Sequence, residues 1–184
     1  MLHDQSQRNF GPFVILSAAT MAPERMEEEL FGVEDGAGGT QRVGALEEAH
    51  SGTLYIDEIA DMPMETQGKV LRVLVEQTFQ RVGGGKKVKV DVRIVSSTGR
   101  DLSMLIAEGR FREDLYHRLS VVPVRVPSLA ERREDIPELI EYFSRLYSVS
   151  SGQPHRKLAS DAIALLQTQD WPGNVRELRN NIER

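Results

Sequence analysis

The chain has 184 residues, a net charge of −5, 40% hydrophobic and 28% charged residues, which is enough for a sizeable core and suits one domain plus a small appendage. It has no cysteine, which excludes disulfides and thiolate metal sites, and no apolar run near the roughly 20 residues that span a bilayer. The start carries no signal-peptide pattern, so the expected location is cytoplasmic. The acidic balance argues against broad nucleic-acid binding, and four scattered histidines without an H-x-x-x-H pair argue against a histidine metal site.

In chain order, Phe13-Val14-Ile15-Leu16 after Gly11-Pro12 predicts a buried strand, and Pro23 to Leu30 a short acidic helix capped at Gly32. Glu34 to Thr40 is glycine-rich and without apolar period, which predicts a flexible loop. A short helix is expected over Gly44 to Ala49. Gly52 to Glu58 then reads as an apolar strand ending in two adjacent carboxylates.

Val70, Leu71 and Leu74 share one helical face between Met64 and Glu76, with Asp61 and Pro63 as start signals. Gly83-Gly84-Gly85 predicts a turn, and Lys86, Lys87 and Lys89 read either as a solvated hairpin tip or as a nucleic-acid patch. Val90, Val92 and Ile94 alternate with Asp91 and Arg93, predicting a strand over Val90 to Ser97. Val122, Val124 and Val126 alternate in the same way around Pro123 and Arg125, predicting a strand confined to an edge or a short pairing. Beyond Pro127 the period becomes helical: Ile136 to Tyr147 behind an Asp135-x-x-Glu138 capping box, a helix from Ser160, and a last one opened by Asn174-x-x-Glu177. The expected architecture is α/β, a parallel sheet flanked by helices over 1–127, followed by a small helical subdomain over 128–184.

Two acids at the tip of a buried strand need an outside reason, because unpaired buried charge is costly. In nucleotide hydrolases the first carboxylate holds Mg²⁺ through its water shell and the second activates the attacking water. Asp57 and Glu58 therefore read either as half of such a site or as a solvated strand end. Ser97-Thr98-Gly99, at the end of the neighbouring strand, either contacts phosphate or simply caps that strand. Arg112 and Arg118 are six residues apart, which is not one helical face, so serving one site requires a turn and the helix after it. They read as phosphate-stabilising arginines or as surface partners of Glu113 and Asp114. Arg176 lies in the first turn of the last helix, where it adds fixed charge to an anion-attracting terminus or pairs locally with an acid. No G-x-x-x-x-G-K-[ST] phosphate loop occurs anywhere in the chain.

Taken together, these segments resemble the AAA+ ATPase domain of bacterial enhancer-binding proteins, the NtrC family that works with sigma-54 RNA polymerase. The matching runs are Glu29-Leu30-Phe31-Gly32, Gly52 to Ile59, Gln67-Gly68-Lys69-Val70-Leu71-Arg72-Val73-Leu74, Arg81-Val82-Gly83-Gly84, Val92-Arg93-Ile94, Phe111 to Leu119, and Trp171 to Leu178. The resemblance implies ATP and Mg²⁺ as ligands. It makes Asp57 the metal-associated Walker B acid, Glu58 the catalytic one, and Thr98 the first sensor. Arg112 and Arg118 become fingers acting on the neighbouring subunit's ATP, and Arg176 a second sensor on a helical lid. It implies self-assembly into a ring, usually a hexamer, with DNA bound through a helix-turn-helix domain outside the segment and no membrane partner.

Four departures qualify this. The phosphate loop is expected upstream of Met1, which suggests a fragment or a misplaced start. The polymerase-contacting G-A-F-T-G-A loop is shortened to Gly36-Ala37-Gly38-Gly39-Thr40, which argues against direct contact with the sigma-54 holoenzyme. The asparagine that restrains the catalytic glutamate is Ser17, and the first-sensor asparagine is Gly99. These departures resemble the NtrX-type branch of response regulators, partners of a membrane sensor kinase. The function expected is an ATP-binding, ring-forming ATPase module of a two-component transcription regulator, with little activity in this chain alone. The alternative is a nucleotide-dependent assembly module that does not remodel polymerase.

Overall fold

Short runs of β-branched and aromatic residues build a parallel sheet whose carboxyl ends carry the acidic pair. The computed structural model describes residues 2–35 and 39–184. It divides into two units, Met1–Pro123 and Val124–Arg184.

The first unit runs β1 (Phe13–Ser17), α1 (Pro23–Phe31), β2 (Val33–Glu34), β3 (Thr40–Arg42), α2 (Ala45–Glu48), β4 (Thr53–Asp57) and α3 (Met64–Glu76). It continues through β5 (Thr78–Gln80), β6 (Lys87–Lys89), β7 (Arg93–Ser96), α4 (Leu102–Ala107) and α5 (Glu113–Leu119). The sheet order is β1-β4-β7, all parallel, with Ser17 opposite Asp57 and Ser96 opposite Ile56. The central strand β4 buries Thr53, Leu54 and Ile56. Around them pack Leu30 and Phe31 of α1, Leu46 of α2, Val70 and Val73 of α3 and Leu115 of α5. Such burial on both faces is what parallel strands with helical crossovers require.

Gly32 ends α1 at φ 74°, and a Cβ there would lie 2.4 Å from the Arg42 carbonyl oxygen and 2.7 Å from the Gly44 nitrogen. Only glycine satisfies both the positive φ and the close approach of the chain. β2 and β3 form an antiparallel pair, and Arg81, which is almost wholly buried, bonds both carboxylate oxygens of Glu47 at 2.8 and 2.9 Å. Of the loop expected over Glu34 to Thr40, Glu34 instead ends β2 and Thr40 opens β3, because the two segments pair with each other, while Gly36, Ala37 and Gly38 lie outside the described residues.

Several expectations are corrected. The strand expected to be buried over Phe13 to Leu16 forms as β1, but at the edge of the described sheet only Leu16 is buried, with Phe13 48% and Ile15 63% exposed. The strand expected over Val90 to Ser97 begins only at Arg93. Val90 and Val92 are buried, but their amides donate to the Gln77 carbonyl (3.0 Å) and to Gln77 Oε1 (3.4 Å), not to a strand. The valines at 122, 124 and 126 are more than two-thirds exposed and form no strand among the described residues. Their alternation supplies a face, but a strand also needs a partner ladder. Lys87 and Lys89 belong to β6, paired with β5, so the Gly83–Gly85 turn carries only Lys86 beyond the strand. Helix α4 was not expected; Asp101 caps it, its Oδ1 accepting from the Ser103 and Met104 amides at 2.8 and 3.3 Å.

The second unit holds α6 (Ile136–Ser151), α7 (Ser160–Thr168) and α8 (Asn174–Ile182) around Leu129, Ile136, Ile140, Trp171 and Leu178. The capping box stands at Ser128 and Glu131, ahead of a 3-10 turn, and not at Asp135, whose side chain caps nothing. Among the described residues no helix is long and apolar enough to cross a membrane.

Candidate functional site

Asp57 is the last residue of β4, and Glu58 follows in the left-handed region at φ 52°, ψ 54°. A non-glycine residue there carries about 1–3 kcal/mol of strain, which the surroundings must hold. They do so through Ile59, whose amide donates to the Ser97 carbonyl (2.9 Å), and Asp61, whose amide donates to the Glu58 carbonyl (2.9 Å). The sharp turn sends the two adjacent acids to separate partners. Asp57 Oδ1 accepts from the Ser97 hydroxyl at 2.7 Å, and the Tyr55 phenol lies 3.1 Å from that oxygen and 2.8 Å from Ser97 Oγ. Glu58 Oε2 accepts from the Gly99 amide at 3.1 Å. Both acids are half-buried at the carboxyl end of the central strand, the place where open parallel sheets bind ligands.

The other oxygen of Asp57 has no hydrogen-bond partner among the described residues. One free carboxylate oxygen suits Mg²⁺, which keeps most of its water and takes one or two carboxylates. The described residues contain no group of three or more acidic or histidine side chains that would make an all-protein cage. Thr98 lies beside this cluster in sequence, but its Oγ1 accepts from the Arg100 amide at 3.0 Å, capping the turn. The Arg100 guanidinium in turn pairs with Asp61 at 2.6 Å, bracing the segment after Glu58. The Ser17 hydroxyl bonds neither acid.

Arg112 is the N-cap of α5, and Arg118 lies in its last turn, an arrangement compatible with both serving one site. Among the described residues neither pairs with Asp57 or Glu58. The Arg112 guanidinium is bidentate to Asp114 at 2.9 and 2.6 Å, and Arg118 donates to the Leu74 carbonyl at 3.3 Å. The local ion pair holds the Asp114 carboxyl below its ordinary value and Arg112 above its own. Both side chains are well solvated, where water screens an ion pair and little is gained by holding it, so the guanidinium is released cheaply. Arg176 is exposed in the first turn of α8, with no ion-pair partner among the described residues.

Sequence reasoning assigned no role to Tyr55 or to the Ser97 hydroxyl on Asp57. The available signal was the spacing of Tyr55 and Asp57 at i and i+2, which share a strand face.

A parallel sheet with an acid pair at the carboxyl end of its central strand, and arginines displayed on a nearby helix, is the frame of an AAA+ nucleotide-binding domain. The chain belongs to the sigma-54 interaction domain family, whose model matches residues 1–125; residues 130–184 match the AAA+ ATPase lid domain. It is 66% identical over 184 residues to the nitrogen assimilation regulatory protein NtrX of Azorhizobium caulinodans, covering 100% of this chain and 40% of that protein. Crystal structures of NtrX from Brucella abortus in complex with ADP and with ATP superpose with a TM-score of 0.93 at 62% identity, covering 100% of this chain and 40% of theirs. Hsp104 of S. cerevisiae, with a TM-score of 0.65 at 16% identity over 93% of this chain and 34% of its own, shares the fold. The chain thus spans about two fifths of the length of the curated relative it matches.

Proposed function

We propose that this chain supplies the acid half of an ATP site shared between subunits of a ring-forming transcription regulator. One observation carries the reading. Two adjacent carboxylates end the central strand, one held by hydroxyls with an oxygen to spare, the other held by a single backbone amide. In this reading Asp57 would hold Mg²⁺ through water, and the bound ion would neutralise charge on the phosphates. Glu58 accepts a proton from the attacking water once it leaves the Gly99 amide, a bond it can exchange without unfolding anything. Arg112 and Arg118 act on nucleotide bound by a neighbouring subunit, because in their own subunit they bond Asp114 and Leu74 instead of the acids. Thr98 retains a hydroxyl proton to offer a phosphate oxygen. Arg176, on the first turn of α8 and without an ion-pair partner among the described residues, would take an anion.

The ATP and ADP complexes of the Brucella abortus protein support nucleotide as the ligand class. With no phosphate loop in the sequence, the β- and γ-phosphates lack their main cradle, so this chain alone has little or no turnover. The glycine-rich run Gly36-Ala37-Gly38-Gly39 carries no aromatic side chain, which favours a second reading for the coupled work: nucleotide sets assembly without remodelling polymerase.

The test compares ATP turnover and oligomeric state for this chain and for one extended upstream to include a phosphate loop. The expected outcome is turnover only in the extended form, abolished by Glu58→Gln with ATP binding retained. Ready turnover by the short chain would overturn the incomplete site. An extended form that assembles with ATP yet never hydrolyses it would establish the assembly module.

A further inference from the structure

Helix α5 presents Arg112 and Arg118, and what fixes its start is a single buried side chain on α3. Gln67 is 0% exposed, one of very few polar residues buried to that degree among the described residues. Its Nε2 donates to the Met62 carbonyl at 2.8 Å and to the Arg110 carbonyl at 3.2 Å, and its Oε1 accepts from the Arg112 amide at 2.9 Å. The orientation of the amide is forced, since two carbonyls can only accept and an N–H can only donate. Two donors and one acceptor at this reach describe glutamine: glutamate would bring no donor, and methionine of equal length would leave all three backbone groups unpaired.

We infer that Gln67 is a positioning residue for the arginine that reaches the neighbouring subunit's phosphate. The inference rests on the shared-site reading and extends it to a residue that touches no nucleotide. The three backbone groups it joins are not equivalent. Met62 closes the 3-10 turn Ile59–Asp61, which starts at Glu58. Arg110 and Arg112 form the run-in to α5, ending at its N-cap. One side chain therefore indexes the finger helix to the turn that carries the subunit's own catalytic acid. It holds Arg112 by the backbone, whereas the guanidinium is held only by the solvated Asp114. The anchored backbone and the exchangeable side chain are what a finger requires: a fixed point of origin and a free reach. A displacement of even 1 Å at a reacting centre costs about 10²-fold in rate.

The test uses the chain extended upstream to include a phosphate loop, with Gln67→Met as the variant and Arg112→Ala as the reference. Gln67→Met is expected to bind ATP and assemble normally, with kcat down about 10²-fold and KM for ATP within about twofold. Mixed rings supply the readout that a merely structural role would not move. A Gln67→Met subunit keeps a sound site with a misplaced finger, and a Glu58→Gln subunit keeps a sound finger with a dead site. Mixing the two should restore turnover above either parent, as mixing Arg112→Ala with Glu58→Gln should. Should Gln67→Met fail to fold, Gln67→Asn, which keeps the neutral amide but draws it back by one methylene from all three backbone groups, carries the same test. Unchanged kcat, or a loss that mixing does not restore, overturns the inference while leaving the shared site intact. Full turnover by Arg112→Ala overturns the shared-site reading itself.

Discussion

The Tyr55 phenol has one proton and two acceptors within reach, Ser97 Oγ at 2.8 Å and Asp57 Oδ1 at 3.1 Å. Ser97 has one proton of its own and spends it on Asp57 at 2.7 Å. The shorter distances describe a chain in which the phenol donates to the serine and the serine to the carboxylate. Hydrogen bonds in such a chain polarise one another, so their energies are not independent. Tyr55→Phe and Ser97→Ala should each lower stability by about 1 kcal/mol in urea unfolding, and the double variant should depart from their sum by about 0.5 kcal/mol or more. Additive losses would show two separate contacts. The place of the acid pair at the end of an apolar strand was legible in the sequence, although alone the two carboxylates read equally well as a solvated strand end. Its supports were not: Ser97 meets Asp57 only once β7 pairs with β4 in a particular register, a long-range fact that neither strand carries alone.

At the scale of elements, local signals were read well and partners badly. The faces of α3 and α6 follow from apolar spacing, α1 from its acidic run and glycine cap, and the existence of β1 and β4, though not the burial expected of β1, from short apolar runs, because those patterns are properties of one segment. The valines at 122, 124 and 126 have the same alternation and no ladder, and Asp135-x-x-Glu138 has the right residues and no cap bond. The cap that does form joins Ser128 to Glu131, whose Oε2 accepts from the Ser128 amide at 2.8 Å and hydroxyl at 3.0 Å. It opens the turn that buries Leu129. Ser128→Ala should therefore cost the second unit about 0.5–2 kcal/mol. The Ser128 amide first, then the Arg125 guanidinium, hold the Glu131 carboxyl below its ordinary value of 4.5. A depressed carboxyl stabilises the fold above its unfolded value and loses that contribution as pH falls through the folded one. Acid titration of unfolding midpoints should thus show a loss beginning below about 4.5. Glu131→Gln should flatten that limb; an unchanged slope would place the acid sensitivity on another group.

The described residues form two cores, and the sequence contains a single tryptophan, Trp171, which is 5% exposed in the second of them. Its indole N–H donates to the Leu166 carbonyl at 2.8 Å, so the ring is fixed at the end of α7 and reports on the packing around it. Leu178, fully buried on α8, packs in the same cluster, and Asn174 at the start of that helix accepts from the Leu129 amide at 2.8 Å. The α8 backbone is thereby tied to both the tryptophan and the capped turn. Truncating Leu178 to alanine removes buried methyl groups and leaves a cavity whose cost is about 2–5 kcal/mol, whereas methionine conserves volume and costs less than about 1.5 kcal/mol. In a unit of this size the first loss is most of the available stability. Leu178→Ala should therefore lower the tryptophan-detected urea midpoint sharply and red-shift the emission even before unfolding, with Leu178→Met close to the unsubstituted chain. Equal midpoints for the two variants would mean that α8 does not pack on Trp171. The helix that displays Arg176 would then lack the core that this structure gives it.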